Sequence, residues 1–150
     1  KPLNGMGGES IYKFDQVTDE EIGVFQSLSK NNTHVMLQSF LPEIYDGDFR
    51  ILIIHGEVCP IALARIPQEG SFKGNLAAGG KGIAKEISPQ QKNVAKEIGK
   101  ILIKNNIAFA GIDMIGNHLT EINVTSPTGA KEIFDQSGVN PIELLFNKLL

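Results

Sequence analysis

The chain has 150 residues, 41% of them apolar and 21% charged, which is enough to bury one real core, so a domain, or a domain with part of a neighbour, is expected. Its net charge of −3 at pH 7 gives no global attraction for nucleic acid or an anionic membrane, so an anionic ligand has to meet a local cluster of positive groups. The single cysteine, Cys59, excludes an internal disulfide and a cysteine zinc site; set in an apolar strand pattern, it reads as a small buried side chain.

The chain opens at Lys1-Pro2 without a methionine and runs into a glycine loop, Gly5-Met6-Gly7-Gly8, with no strand before it. A fragment of a longer protein is therefore expected. The loop lacks P-loop spacing, and Ser10 stands where a dinucleotide fingerprint needs its third glycine. Its amides form either an anion-binding concavity or a plain turn, and Lys1 is either phosphate-facing or solvated. Ser10 to Phe14 reads as a short strand. Asp19 to Lys30 reads as a helix with Asp19 as N-cap and Ile22, Phe25 and Leu28 at spacing three. Val35 to Phe40 reads as a strand stopped by Leu41-Pro42. Its end, Gln38-Ser39-Phe40-Leu41, either offers backbone groups and an apolar wall to an adenine ring or is a plain buried strand.

A turn at Asp46-Gly47-Asp48 leads into a strand pair, Phe49 to His55 and Val58 to Ile66, around Gly56-Glu57. Arg50 and Arg65 are embedded in this apolar strand sequence. A guanidinium there either finds an anion or snorkels to solvent. Asp48 pairs with Arg50 or orients a ligand. Pro67 to Gly82, rich in glycine and poor in large apolar residues, reads as a lid or as a loop without function. Ser88 starts a helix with Pro89 at its first position, and Val94, Ile98 and Leu102 mark a buried stripe to about Lys104.

Ile107 to Val124 reads as a hairpin turning at Gly116-Asn117. Period-2 geometry puts Ile112 and Met114 opposite Asp113 on the first arm, and Ile122 and Val124 opposite Glu121 and Asn123 on the second. If the apolar faces join one core, Asp113 shares a face with Glu121 and Asn123 only in an odd register, through a three-residue loop or a bulge. The three side chains then converge either as hard oxygen ligands suited to Mg²⁺ beside a nucleotide phosphate or as an ordinary solvated face. Gly129 to Gln136 and Pro141 to Leu150 read as closing helices. His34, His55 and His118 have no mutual metal spacing. No apolar run reaches membrane-spanning length, and the cytoplasm is the expected compartment. A mostly antiparallel sheet covered by helices makes the expected fold class α+β.

Four stretches, KPLNGMGGESIYKF (1–14), LQSFLPEIYDGDFRILII (37–54), ALARIPQEGSFKGNLAAGGKG (62–82) and GIDMIGNHLTEINVTSPTG (111–129), together resemble the ATP-grasp superfamily, and within it the prokaryotic glutathione synthetase family. The resemblance implies an ATP-grasp fold divided into a remnant of the small nucleotide-gripping lobe at 1–37 and the large lobe at 38–150, with a lid at 67–82 and a metal-binding hairpin at 107–124. It implies an ATP-dependent ligase that joins γ-glutamylcysteine to glycine through an acyl phosphate. Position by position, Lys1, Gly5, Met6, Gly7 and Gly8 would bind phosphates. Gln38, Ser39, Phe40 and Leu41 would hold the adenine, with Asp48 on the ribose side and Asn75 also on the nucleotide. Arg50 and Arg65 would stabilise the transferred phosphoryl group and the acyl phosphate. Ser126 and Thr128, with Arg65, would contact the peptide substrate. Asp113, Glu121 and Asn123 would hold Mg²⁺ (or Mn²⁺). It further implies small-molecule partners, no nucleic acid, no membrane and a homo-oligomeric full-length protein, with the isolated fragment inactive. Ser39 and Phe40 depart from the larger polar residue and tyrosine frequent in the family, and the other half of the nucleotide lobe is absent. An ATP-grasp ligase for another carboxylate and amine, and a non-catalytic nucleotide-binding fragment, are the alternatives.

Overall fold

The computed structural model describes residues 1–4, 9–30, 34–76 and 79–149. The chain divides into two compact units, Lys1–Pro42 and Glu43–Leu150. Gly5, Met6, Gly7 and Gly8, expected to bind phosphates, lie outside the described residues.

The first unit holds helix α1 (Asp19–Leu28). Its N-cap is Thr18 rather than Asp19, because the Glu21 carboxylate reaches back to the Thr18 amide at 2.7 Å. Neither strand expected in this unit forms. Residues 11–14 are irregular, and of Val35 to Phe40 only Val35 pairs, in an isolated bridge to Pro2. The flanking amides of Leu3 and Met36 donate to the carbonyls of His34 (3.0 Å) and Lys1 (2.8 Å). Alternation alone makes no strand where no second strand takes up the backbone groups.

The second unit is built on six strands: β1 (Asp48–Ile54), β2 (Glu57–Val58), β3 (Ile61–Ile66), β4 (Lys81–Glu86), β5 (Phe109–Ile115) and β6 (His118–Asn123). Their order is β4-β3-β1-β5-β6, with β2 beside β1, and every pairing is antiparallel. Pro60, which lacks an amide donor, splits the expected second arm into β2 and β3. His55 (φ +47) and Gly56 (φ +76) form the two-residue turn that pairs Ile54 with Glu57. The expected loop at 67–82 ends at Gly80, because Lys81–Glu86 pairs with β3 along its whole length. Charged ends and one isoleucine give β4 the sequence of an edge strand, which hides its period.

The two faces of β1 go to different cores. Ile51 and Ile53 pack with Ala62, Ala110, Ile112 and Met114 under helix α2 (Pro89–Lys104) through Ala95 and Leu102. On the other face Leu52, Cys59 and Leu63 pack under helix α3 (Ala130–Ser137) through Ile133. Helix α4 (Pro141–Leu149) follows, with residues against α3 and β1. Ser88 caps α2: its hydroxyl accepts from Gln91 N–H at 3.1 Å, and its own amide donates to Gln91 Oε1 at 2.9 Å. Gln91 then donates from Nε2 to the Gly116 carbonyl at 3.1 Å, tying the helix start to the β5–β6 turn. At the other end Gly99 lets α2 lie directly on the β1–β2 turn: a Cβ there would sit 2.4 Å from the Gly56 carbonyl oxygen. Gln136 of α3 reaches the outer edge of β4, accepting from Ala84 N–H at 2.9 Å and donating to the Gly82 carbonyl at 3.2 Å. Among the described residues no helix is long and apolar enough to cross a membrane.

Candidate active site

The pleat of β1 puts Asp48 and Arg50 on the face shared with Leu52, and the register does the rest. Asp48 lies opposite Arg65 of β3, and Arg50 lies opposite Asp113 of β5. Asp113 lies opposite Glu121 of β6, and Gly111 opposite Asn123. A two-residue turn pairs Ile115 with His118, and a bulge then takes up Thr120, so the odd register required by the apolar alternation is present. The Thr120 hydroxyl donates to the Asp113 carbonyl at 3.1 Å across that bulge. One row of charged side chains therefore crosses four strands on one sheet face.

The row is bonded throughout. Arg50 grips Asp113 with two donors, Nε to Oδ1 at 2.5 Å and Nη2 to Oδ2 at 2.9 Å. Arg65 Nη2 lies 2.9 Å from the same Oδ2 and 2.5 Å from Asp48 Oδ2, and its Nε donates to the Asp48 carbonyl at 3.4 Å. With its amide turned to satisfy both neighbours, Asn123 donates to Glu121 Oε1 at 3.0 Å and accepts from Arg50 Nη2 at 3.2 Å. The embedded arginines thus find an anion instead of snorkelling, and the anion is the chain's own Asp113. Arg50, Arg65 and Asp113 keep only 7%, 8% and 3% of their surface exposed, so these charges interact with little screening by water.

Burial pushes the Asp113 carboxyl toward neutrality, but the hydrogen bonds from Arg50 and the charge of Arg65 hold it below the ordinary carboxylate value. Burial pulls Arg50 down, and its bond to Asp113 reverses the shift. Asp48 goes the other way. Desolvation raises it to about 6, against the pull of an Arg65 that it shares with Asp113. Its Oδ1 is buried and has no hydrogen-bond partner among the described residues.

Two small residues make this packing possible. A Cβ on Gly111 would lie 2.8 Å from both Arg50 Cδ and Pro127 Cβ. A lone glycine inside a strand pattern is the sequence signal for such a close approach, and neither Gly111 nor Pro127 was singled out from it. A Cβ on Gly74 would lie 2.6 Å from the Arg65 carbonyl oxygen and 3.3 Å from Asp48 Cβ. The loop at 67–80 is therefore anchored on the Asp48–Arg65 pair, although its sequence reads as short of anchors. Asn75 accepts from Gly80 N–H at 3.1 Å within that loop.

The remaining candidates stand as follows. The Thr128 carbonyl accepts from Arg50 Nη1 at 3.4 Å, while the Thr128 and Ser126 side chains are exposed. Ser126 has φ +49, an uncommon conformation for a residue with a side chain. Lys1, Gln38, Ser39, Phe40 and Leu41 belong to the first unit; Gln38 and Ser39 are exposed, and the Lys13 ammonium lies 4.6 Å from the Phe40 ring centre.

The donor set suits a hard cation. Asp113 has both Oδ2 lone pairs engaged and one left on Oδ1, beside the Glu121 carboxylate and the Asn123 amide. Among the described residues no three His, Cys, Asp or Glu side chains form a metal cage. A cation here would need the amide oxygen and oxygens from outside the protein, which is how Mg²⁺ is held when a phosphate completes its shell.

The family profile described as "Prokaryotic glutathione synthetase, ATP-grasp domain" matches residues 1–138. The glutathione synthetase of Nitrosomonas europaea is 51% identical over 99% of this chain and 47% of its own length. Those of Neisseria meningitidis serogroup A and Shewanella oneidensis are 49% and 47% identical, over 92% and 99% of this chain and 44% and 48% of their own lengths. The chain thus spans about half the length of the relatives it matches.

Proposed function

The chain belongs to the prokaryotic glutathione synthetase ATP-grasp family, and from that premise we propose that it carries the phosphoryl-transfer centre of an ATP-dependent carboxylate–amine ligase. The observation that supports this most directly is the convergence of Arg50, Arg65, Asp113, Glu121 and Asn123 on one sheet face.

The substrates are ATP, γ-glutamylcysteine and glycine, and the setting is cytoplasmic. The cysteinyl carboxylate of γ-glutamylcysteine attacks the γ-phosphorus. The bond to the bridging oxygen breaks, ADP leaves, and an acyl phosphate forms. The glycine amine then attacks the acyl carbon, loses a proton and expels phosphate, leaving an amide. Both steps move charge among oxygens, so catalysis rests on preorganised positive groups rather than on covalent help from the protein. Arg50, fixed by Asp113 and by the Thr128 carbonyl, supplies one such group. Arg65 supplies the other, with its planar fork matched to phosphoryl oxygens. Asp113, Glu121 and Asn123 would hold Mg²⁺ or Mn²⁺, which when bound neutralises phosphate oxygens. The cluster has one more carboxylate than guanidinium, so a divalent cation would turn it net positive toward an anionic substrate. The loop at 67–80, which meets Arg65 and Asp48 through Gly74, would keep water from the acyl phosphate.

The test is phosphate release from ATP with γ-glutamylcysteine and glycine by the full-length protein. Glu121→Gln is expected to lower turnover on the order of 10²-fold while the protein stays folded. Near-normal turnover would remove Glu121 from the centre.

A further inference from the structure

Glu121 joins the charged row only because β6 carries one residue more than β5 uses. Met114 pairs with Leu119 and Asp113 with Glu121, so Thr120 is the residue left over. Without that surplus Asp113 would pair with Thr120, and Glu121 would fall opposite Ile112, on the face under α2. A bulge interrupts the ladder and bends its strand, so it needs something to hold it. Here the surplus residue does so itself: the half-buried Thr120 donates from its hydroxyl to the Asp113 carbonyl at 3.1 Å. Asp113 is in turn the carboxylate that both arginines grip. The residue just before Glu121 is thus fastened to a strand position that is fixed from its other side. Valine has the shape of threonine and is equally at home in strands, so neither packing nor propensity calls for the hydroxyl.

We propose that Thr120 is the positioning residue for Glu121, its hydroxyl setting the spacing between the Glu121 and Asp113 carboxylates across the bulge. The inference rests on the metal-holding role proposed for these carboxylates above. The apolar pair Leu119 and Ile122 already demands a bulge; the hydroxyl makes it a rigid one. Mg²⁺ demands near-ideal octahedral geometry, so it is the cation to which such rigidity matters.

The experiment compares Thr120→Val, which keeps the shape and drops the donor, with Thr120→Ser, which keeps the donor, in the full-length protein. Phosphate release is measured with ATP, γ-glutamylcysteine and glycine saturating while free Mg²⁺ is varied. Hydrogen exchange of segment 111–124 is followed by mass spectrometry without metal or nucleotide, and folding by the thermal midpoint. Thr120→Val is expected to raise the Mg²⁺ concentration for half-maximal turnover and to lower kcat, each by about 10-fold, the scale of a small misplacement of a reacting group. Its exchange in 111–124 is expected to be faster, and Thr120→Ser is expected to restore all three quantities. Equal losses in the two variants would overturn the inference, because the hydroxyl would then not be what matters. So would a lower thermal midpoint in Thr120→Val with kcat and Mg²⁺ dependence unchanged, the mark of a merely structural bond. A fall in kcat with exchange unaltered would also overturn it, since Thr120 would then act by some route other than the bulge. If Glu121→Gln leaves turnover intact, the metal-holding role fails first, and the inference with it. Should Thr120→Val not fold, Thr120→Ala carries the same comparison.

Discussion

At the scale of single residues, the centre sets two buried carboxylates of opposite habit beside two arginines. Asp113 is held below its ordinary value and Asp48 is raised to about 6 from 3.8. The raised group keeps a proton in the folded state that the unfolded chain loses between about pH 4 and 6. Rising pH therefore takes stability away through that window, by up to about 3 kcal/mol. Asp113 works in the reverse sense: its contribution is complete above the ordinary carboxylate range and fades as pH falls below it. Asp48→Asn is expected to remove the loss between pH 4 and 6 and to leave the acid limb alone. Unfolding midpoints of both proteins at half-unit pH steps check this; curves that run parallel across the window would count against it. The residues of this centre were legible from chemistry, since arginine in an apolar strand demands an anion. Their partners were not. Pairing depends on the register of strands 63 residues apart in sequence for Arg50 and Asp113, and no local pattern encodes that. The same limit placed Asp48 with Arg50 or a ligand, whereas it bonds Arg65.

At the scale of elements, the alternation in 111–124 requires an odd register, and the bulge at Thr120 provides it. Helix α2 was legible from its cap, from Pro89 and from its apolar stripe. Strand β4 was not, because lysine and glycine at an edge look like a loop. The contact between Gly99 and Gly56 escaped too, since a helical glycine usually signals only weak propensity. Here it marks backbone-to-backbone approach. Gly99→Ala gains up to about 1 kcal/mol of helix propensity. It also drives a methyl group to 2.4 Å from the Gly56 carbonyl oxygen, a rigid neighbour. Overpacking of this kind costs about 1–3 kcal/mol, so net destabilisation is expected, seen as a lower thermal midpoint. A higher midpoint would mean that α2 shifts off the turn at little cost.

At the scale of the whole molecule, the second unit has its own paired strands and helices on both sheet faces, whereas α1 of the first unit buries no side chain. The chain spans about half the length of the relatives it matches, and phosphoryl transfer depends on preorganised charge, so we expect the 150-residue chain by itself to release no phosphate and to bind ATP weakly. Phosphate release by the bare chain, compared with the full-length protein, measures this; equal turnover would show a self-contained centre. The loop at 67–80 is expected to be cut more slowly by protease when Mg²⁺, ATP and γ-glutamylcysteine are present together than when they are absent, and equal rates would remove it as a lid. The hold of Gln136 on β4 has a different consequence. An outermost strand is a template on which a foreign strand can grow. The Gln136 amide occupies the outward-facing Gly82 carbonyl and Ala84 N–H as a single residue of such a strand would. Any intruder must first displace it, so one glutamine guards this border of the sheet against aggregation.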